Sequence, residues 1–537
     1  MIPLDFLQNI ANEHSVSPLE WKVLSKAISG ETTTAIALDL DISEDLVRKR
    51  LSDTYKKFSI EGKGPVKFAR LQQHLHSLYQ GSLTSENASE REMAAPATEI
   101  VHLNEGRFDI STFQGRVEEL SALQQWILRD RCRLVAVLGM GGIGKTAVAA
   151  KLVELVKDRF ECTIWQSLLG APLLETAIAD ILQYLLPSTD NLPDRVNERI
   201  SLLINEMRSR RCLLIIDNIE TILQRGELAG QYSPQYEEYQ ELFRRICEES
   251  HQSCLLITSQ EKPENLGFLT RDTYPARALF LSGLNAKDGR GIFKSKNLSD
   301  EQQWNDLIEI YQGNPLALKI VATTIQYLFN GQVAEFLKRR TLLPKDIRNL
   351  LSNQFERLSP LEQELMYWLA IKPSPLNLEQ LLELQWLPIS FSELADAIAS
   401  LGQRFLIEKN TENGQVAFTL QPVVKEFVTE TFVEYASQEI VESFKTNDIE
   451  DVRFFRSHAF ISLNESEKPA AKNSPNLILL AINDKLLRFF KSPSRLQKYL
   501  NKLLLELNSE SFSEIGYAAD NIGALLAKLE TELSPGE

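Results

Sequence analysis

"GMGGIGKT", Gly139 to Thr146, decides how this chain is read. The five residues before it, Leu134 to Leu138, are all apolar, as in a strand buried on both faces. Behind it runs "KTAVAAKLVELVKDRF", alanine-rich and spaced for a helix. In a strand, glycine turn and helix, backbone N–H groups can turn inward on phosphates at the positive end of the helix. Gly139 and Gly144 occupy the fixed glycines of G-x-x-x-x-G-K-[ST], with Lys145 placed for the β- and γ-phosphates and Thr146 for Mg²⁺. The loop is read as a nucleotide cradle, and what remains is whether it cleaves its ligand or only holds it.

A chain of 537 residues is too long for one core, so about three to five domains are expected, and 43% hydrophobic content makes them globular. The longest apolar runs fall short of a membrane span, and "MIPLDFLQNIANEH" carries an acid where a signal peptide has basic residues. A cytoplasmic protein without membrane contact is expected. Cys132, Cys162, Cys212, Cys247 and Cys254 form no C-x-x-C pair and sit in or beside apolar runs, which reads as reduced core thiols. His74 and His76 are two apart on a predicted helix and make a poor metal pair, so Mg²⁺ is the metal expected.

Around the loop, "RLVAVLG", "CTIWQSL", "CLLIIDN", "SCLLITS" and "ALFLSGL" alternate with helical blocks, predicting a parallel sheet covered on both faces. "RCLLIIDNIE" ends its strand in Asp217, about seventy residues past the loop, where an acid can hold Mg²⁺ through water. Beyond Leu284 the pattern is helical, apart from a hairpin in which Phe405–Ile407 and Val416–Leu420 flank the turn "NTENGQ". Three helical blocks before that hairpin and one after it predict a winged helix. Between Gln80 and Asp109 the periodicity is lost, which reads as a flexible tether.

The net charge of -15 argues against the whole chain being a nucleic-acid binder. From Leu46 to Arg70, however, eight basic residues (Arg48, Lys49, Arg50, Lys56, Lys57, Lys63, Lys67, Arg70) face two acids, Asp53 and Glu61. Three short apolar blocks between residues 15 and 72 resemble the helix-turn-helix domain of LuxR-type regulators, through Glu20, Val23-Leu24, Gly30, Thr32, Ile36-Ala37, Leu40, Ile42-Ser43, Val47, Leu51, Tyr55 and Lys57-Phe58. That resemblance implies that Ser43 caps a recognition helix carrying Arg48, Lys49 and Arg50 toward a major groove, with DNA contact through residues 43–70. The alternative is a protein adaptor whose basic run is a solvated face.

The ordered set "FQGR", "GMGGIGKT", "LLIIDN", "LLITSQ" and "GNPLAL", followed by a winged helix, resembles the NB-ARC branch of the STAND signalling ATPases over about 320 residues, Ile110 to Tyr435. The resemblance implies a multidomain α/β chain: 1–79 helix-turn-helix, 80–109 linker, 110–284 P-loop sheet domain, 285–345 helical, 346–435 winged-helix and 436–537 helical. It also implies ADP or ATP with Mg²⁺, sandwiched between these domains. Gly139, Gly141, Gly142, Ile143, Gly144, Lys145, Thr146 and Ala147 would meet the nucleotide, and Gly115-Arg116 and Pro315 would lie near adenine and sugar.

Three departures from that family bear on cleavage. The second acid after Asp217 is replaced by Asn218, whose amide cannot take a proton at neutral pH. The sensor position often filled by Arg is Gln260, so one cation for the γ-phosphate is missing. The Met-His-Asp triplet falls on Leu420, Gln421 and Pro422. Glu220 and Glu261 are nearby acids that could stand in. The expectation is a latch, closed on ADP and opened or oligomerised by ATP, with slow or absent hydrolysis; the alternatives are a defence protein whose N-terminal domain is a protein adaptor, and a scaffold that holds its nucleotide without switching. In similar bacterial chains the last segment precedes a repeat sensor; here either a sensor lies beyond it or the helical tail is the sensor.

Overall fold

A computed structural model describes residues 16–28, 33–40, 42–58, 71, 100–103, 110–186, 188, 192–269, 275–339, 343–412, 415–446, 452–460, 475–508 and 515–533. The chain divides into two compact units, Met1–Ala97 and Thr98–Glu537. Gly30, Thr32, Glu61, Lys63, Lys67, Arg70, His74 and His76, with most of the tether, lie outside the described residues.

In the first unit, helices Pro18–Ile28, Thr33–Asp39 and Glu44–Lys57 pack through Val23, Ala27, Ile36, Ala37 and Val47. Ser43 caps the third helix, its side chain accepting from Leu46 N. That helix is strongly paired: Arg48 bridges Glu44 at 2.8 Å and Asp45 at 3.2 Å, while Lys57 reaches buried Glu20 at 2.6 Å and Arg50 lies 4.0 Å from it. Lys49 is exposed. Glu44 and Asp45, just ahead of the basic run, are thus the acids that pair with Arg48.

The second unit is built on a six-stranded parallel sheet in the order β1-β3-β4-β5-β2-β6. Its strands are β1 (Ile100–Leu103), β2 (Leu134–Leu138), β3 (Cys162–Ser167), β4 (Cys212–Asp217), β5 (Cys254–Ser259) and β6 (Ala276–Phe280). The five predicted strands are present, and an edge strand joins them from within the stretch read as tether. β1 pairs with β3 from Ile100 opposite Thr163 to Leu103 opposite Gln166.

Side-chain alternation builds two cores from one sheet. Leu134, Ala136 and Leu138 face helices Leu174–Leu185, Val196–Ser209 and Glu238–Glu248, through residues such as Ile178, Leu203 and Phe243. Val135 and Val137 face helices Val117–Gln124 and Lys145–Val156, through Leu123, Val148 and Leu152. Burial on both faces explains why these strands read as continuous apolar runs rather than alternating ones. All five cysteines are free, and all but Cys162 are buried.

From Leu284 to Leu529 a third core is helical and continuous. Helix Pro315–Phe329 opens with Asn314 as N-cap and proline in its first turn. Helices Lys345–Phe355, Pro360–Ile371, Leu378–Glu383 and Phe391–Gln403 precede an antiparallel hairpin of β7 (Ile407–Glu412) and β8 (Gln415–Leu420), with Ile407 opposite Leu420. β7 thus runs into the segment read as turn, whose Asn413 and Gly414 lie outside the described residues. One continuous helix, Pro422–Thr446, crosses the domain boundary placed at 435, because nothing in those 25 residues breaks it. Among the described residues no helix is long and apolar enough to cross a membrane.

Candidate nucleotide site

β5 lies between β2, which carries the glycine loop, and β4, which ends in Asp217. The carboxyl ends of these three strands therefore place Gly139–Thr146, Asp217-Asn218 and Ser259-Gln260-Glu261 side by side. Such strand ends are where open α/β sheets bind their ligands. Gly144, with φ of +97°, turns the chain directly into helix Lys145–Val156, a conformation an L side chain would strain.

Lys145 is buried, and its Nζ donates to Gly139 O at 2.9 Å and Met140 O at 3.1 Å. Burial pulls its pKa below the ordinary lysine value, and Glu220 and Asp217 pull the other way. Thr146 Oγ1 donates to Asp217 Oδ1 at 3.0 Å and Oδ2 at 3.2 Å, joining the two residues assigned to Mg²⁺. Asp217 also accepts from Thr258 Oγ1 and, at 3.1 Å, from Asn218 Nδ2. Asn218 is thus a donor to the neighbouring carboxylate, in a left-handed conformation with φ of +66°.

The two substitute acids separate. Glu220 is buried at the site: it accepts from Gln260 N at 3.1 Å and acts electrostatically on Lys145. Glu261 faces away, bonded to Arg357 and, at 2.9 Å, to Arg404. Two buried arginines already engage that carboxylate, so it does not serve as a base at the loop.

A cavity adjoins the helix end of the loop, lined by Phe113, Arg116, Ile143, Ala147, Pro315 and Lys319 among others. Its mixed polar and apolar lining is of the kind that can meet a base and sugar. Arg116 is buried and its guanidinium donates to Ile143 O at 3.1 Å and Ser282 O at 2.7 Å, so it braces the loop against the end of β6. Leu420 and Pro422 line a different, larger cavity and lie away from this one.

Two residues the sequence did not single out close over the loop. Asn314 Nδ2 donates to Gly141 O at 3.0 Å, and its Oδ1 accepts from Ala317 N. Gln354, on helix Lys345–Phe355, stands so close that a Cβ at Gly141 would collide with its Nε2. Met140, from inside the loop, packs in the helical core. The signal for Asn314 was present in "GNP", an N-cap before a first-turn proline. Nothing local announced Gln354.

This sheet, loop and acid make up the fold of a P-loop nucleotide-binding domain. Residues 116–232 match the NB-ARC domain family. An uncharacterised WD repeat-containing protein of Nostoc sp. is 37% identical over 466 residues, covering 79% of this chain and 37% of the relative. Disease resistance-like protein DSC1 of Arabidopsis thaliana is 23% identical over 273 residues, 48% of this chain and 20% of the relative. Among solved structures, a Walker-type ATPase of Pyrococcus abyssi aligns at 16% identity with a TM-score of 0.43, covering 59% of this chain and 96% of that one. The chain thus spans 37% and 20% of the lengths of these two curated relatives.

Proposed function

We propose that this chain is a nucleotide-operated signalling switch of the STAND type, closed on ADP and opened by ATP, with cleavage slow or absent. The observation that carries the reading is that the loop is roofed by what it would switch. Asn314 from the helical segment and Gln354 from the segment before the hairpin both meet Gly141, and Met140 is seated in their core. A ligand's phosphates and the closure of the later domains therefore compete for or share the same few ångströms. The NB-ARC match and the disease-resistance name of a relative support a signalling role.

The residues fit a nucleotide with Mg²⁺. The glycines leave room where a Cβ would collide, Thr146 and Asp217 already converge, and Gln354 Nε2 is buried without a hydrogen-bond partner. When bound, Mg²⁺ neutralises charge between the outer phosphates. Lys145 would hold the β- and γ-phosphates, Arg116 and Pro315 the base and sugar side, while Asn218 and Gln260 supply neither a general base nor a cation. A domain division belongs to the same proposal: a sheet domain that takes in β1 and runs to 284, a helical domain 285–345, and a winged helix from 346 whose last helix continues to Thr446.

The N-terminal unit is the output in this proposal. Its partner is DNA or a protein, self-association included: Lys57 is tied to buried Glu20, while Lys49 is exposed and Arg48 pairs with Glu44 and Asp45 of its own helix. Fluorescence anisotropy with genomic fragments at low salt separates the two: salt-dependent binding, with a log–log slope of about 0.9 per phosphate contact, selects the DNA output. Extraction and chromatography of the nucleotide that copurifies tests the switch itself. ADP is expected; purified chain that carries and binds no nucleotide would end the reading.

A further inference from the structure

Cys162 and Cys212 stand directly opposite each other at the amino ends of β3 and β4. Neighbouring strands lie about 4.8 Å apart, inside the span over which two cysteine Cα atoms can be joined by a disulfide. Both side chains point to one face of the sheet: Cys212 belongs to the core beneath helices Leu174–Leu185 and Val196–Ser209, and Cys162 packs against it. The residues beside the pair hold this register. Glu161 N donates to Arg211 O at 2.9 Å, Arg211 N donates to Glu161 Oε1 at 3.0 Å, and Cys212 N donates to buried Ser253 Oγ at 2.8 Å.

The two thiols differ. Cys162 is half-buried and Cys212 is buried. A hydrogen bond from Cys212 stabilises the Cys162 thiolate and the charge of Arg210 assists, so the Cys162 pKa falls below the ordinary thiol value in spite of burial. The same hydrogen bond, with burial, pushes Cys212 up, so Cys212 keeps the proton. Burial pushes Cys132, Cys247 and Cys254 up as well. Of the five cysteines, Cys162 alone is drawn toward the thiolate, and it alone is not buried.

We propose that Cys162 and Cys212 form a redox modification site, in which a hydroperoxide oxidises Cys162 and Cys212 resolves it into a reversible disulfide between β3 and β4. The Cys162 sulfur attacks a peroxide oxygen, the O–O bond breaks, and the leaving oxygen takes a proton and departs as water or an alcohol. Cys162 is then a neutral sulfenic acid, so the negative charge that kept the proton on Cys212 is gone. The Cys212 sulfur attacks the Cys162 sulfur, the S–O bond breaks as the S–S bond forms, and the Cys212 proton leaves with the hydroxide as water. Two thiols lose two electrons and the peroxide gains them. The link lies at the strand ends opposite the glycine loop and does not depend on the nucleotide reading.

Peptide mapping of the full chain tests this. The folded, reduced protein is exposed to micromolar hydrogen peroxide, blocked with N-ethylmaleimide and digested without reductant. The expected product is a linked Cys162–Cys212 peptide pair that dithiothreitol separates, in a chain that still runs at monomer size on a non-reducing gel. Without peroxide, iodoacetamide should alkylate Cys162 at least about tenfold faster than any other cysteine. In Cys212→Ser, dimedone should trap the sulfenic acid on Cys162. Three results in wild type would overturn the assignment: no linked peptide, a link through another cysteine or between two chains, or alkylation of Cys162 no faster than that of Cys254. Each is read without a variant, so a folding defect in Cys212→Ser leaves the test intact.

Discussion

Glu261 and Arg404 meet at 2.9 Å, each almost wholly buried, across the junction between the sheet and the hairpin segment. Arg357 shares the same carboxylate, and Arg404 continues to Glu362 at 3.1 Å, so two acids and two arginines form one buried, balanced network. Glu362 is also the capping-box partner of Ser359, which ties the network to the start of helix Pro360–Ile371. Because Glu261 directly follows Gln260, a shift at the phosphate end of β5 reaches this network within one residue. Glu261→Gln should cost roughly 3–5 kcal/mol by stranding buried guanidinium charge. Calorimetric melting checks this, and adding Arg404→Gln should cost less than the sum of the single changes.

Lys145→Ala should strip retained nucleotide and remove the stabilisation it brings, about 2.7 kcal/mol at a hundredfold excess over Kd. Nucleotide content after denaturation and the shift in melting temperature with added ADP measure both. Equal content in variant and wild type would take the loop out of the account.

Asn218→Asp should raise steady-state ATP turnover if the missing acid limits chemistry. In the wild type Asn218 donates to Asp217 at 3.1 Å, and the substitution turns that contact into repulsion between carboxylates that Mg²⁺ would relieve. A gain visible only with Mg²⁺ is therefore expected in a phosphate-release assay. No gain would assign the limit to Gln260 or to closure by the later segments.

His458 is buried among Trp368, Tyr367, Phe432 and Phe454, and burial lowers its pKa to about 4 from 6.5. The folded state favours the neutral ring, so its contribution is full above pH 6.5 and is lost as pH falls toward 4. The loss approaches roughly 3 kcal/mol. Urea unfolding at pH 7.5 and 4.5 should show a smaller acid-side loss for His458→Phe than for wild type.

The strands of the sheet centre were legible because burial on both faces makes each a continuous apolar run, and the glycine loop because its chemistry is local. β1 was not. "IVHL" is four residues in a polar stretch, and only pairing with β3 makes it a strand. Asp217 and Thr146 were readable by motif, whereas the place of Gln354 depends on where helix Lys345–Phe355 docks, and that of Glu261 on Arg357, 96 residues further along, and on Arg404. The basic run was legible as charge, and so was the pairing of Arg48 with Glu44 and Asp45 just ahead of it; only the tie of Lys57 to buried Glu20, 37 residues away, needed the fold.

Three amides of the sheet domain report directly on closure. Gly226 N bonds Arg357 O at 2.9 Å, Ala229 N bonds Ser400 Oγ at 2.6 Å and Lys262 N bonds Gln403 O at 3.2 Å. Hydrogen exchange at these amides, with ADP and with a non-hydrolysable ATP analogue, tests the latch most directly. The account predicts strong protection with ADP and markedly faster exchange with the analogue, while amides of β2 and β5 stay protected in both. A near-complete opening requires the analogue to favour the open form by about 5.5 kcal/mol over its binding to the closed one. Equal protection at all three amides with either nucleotide would contradict it.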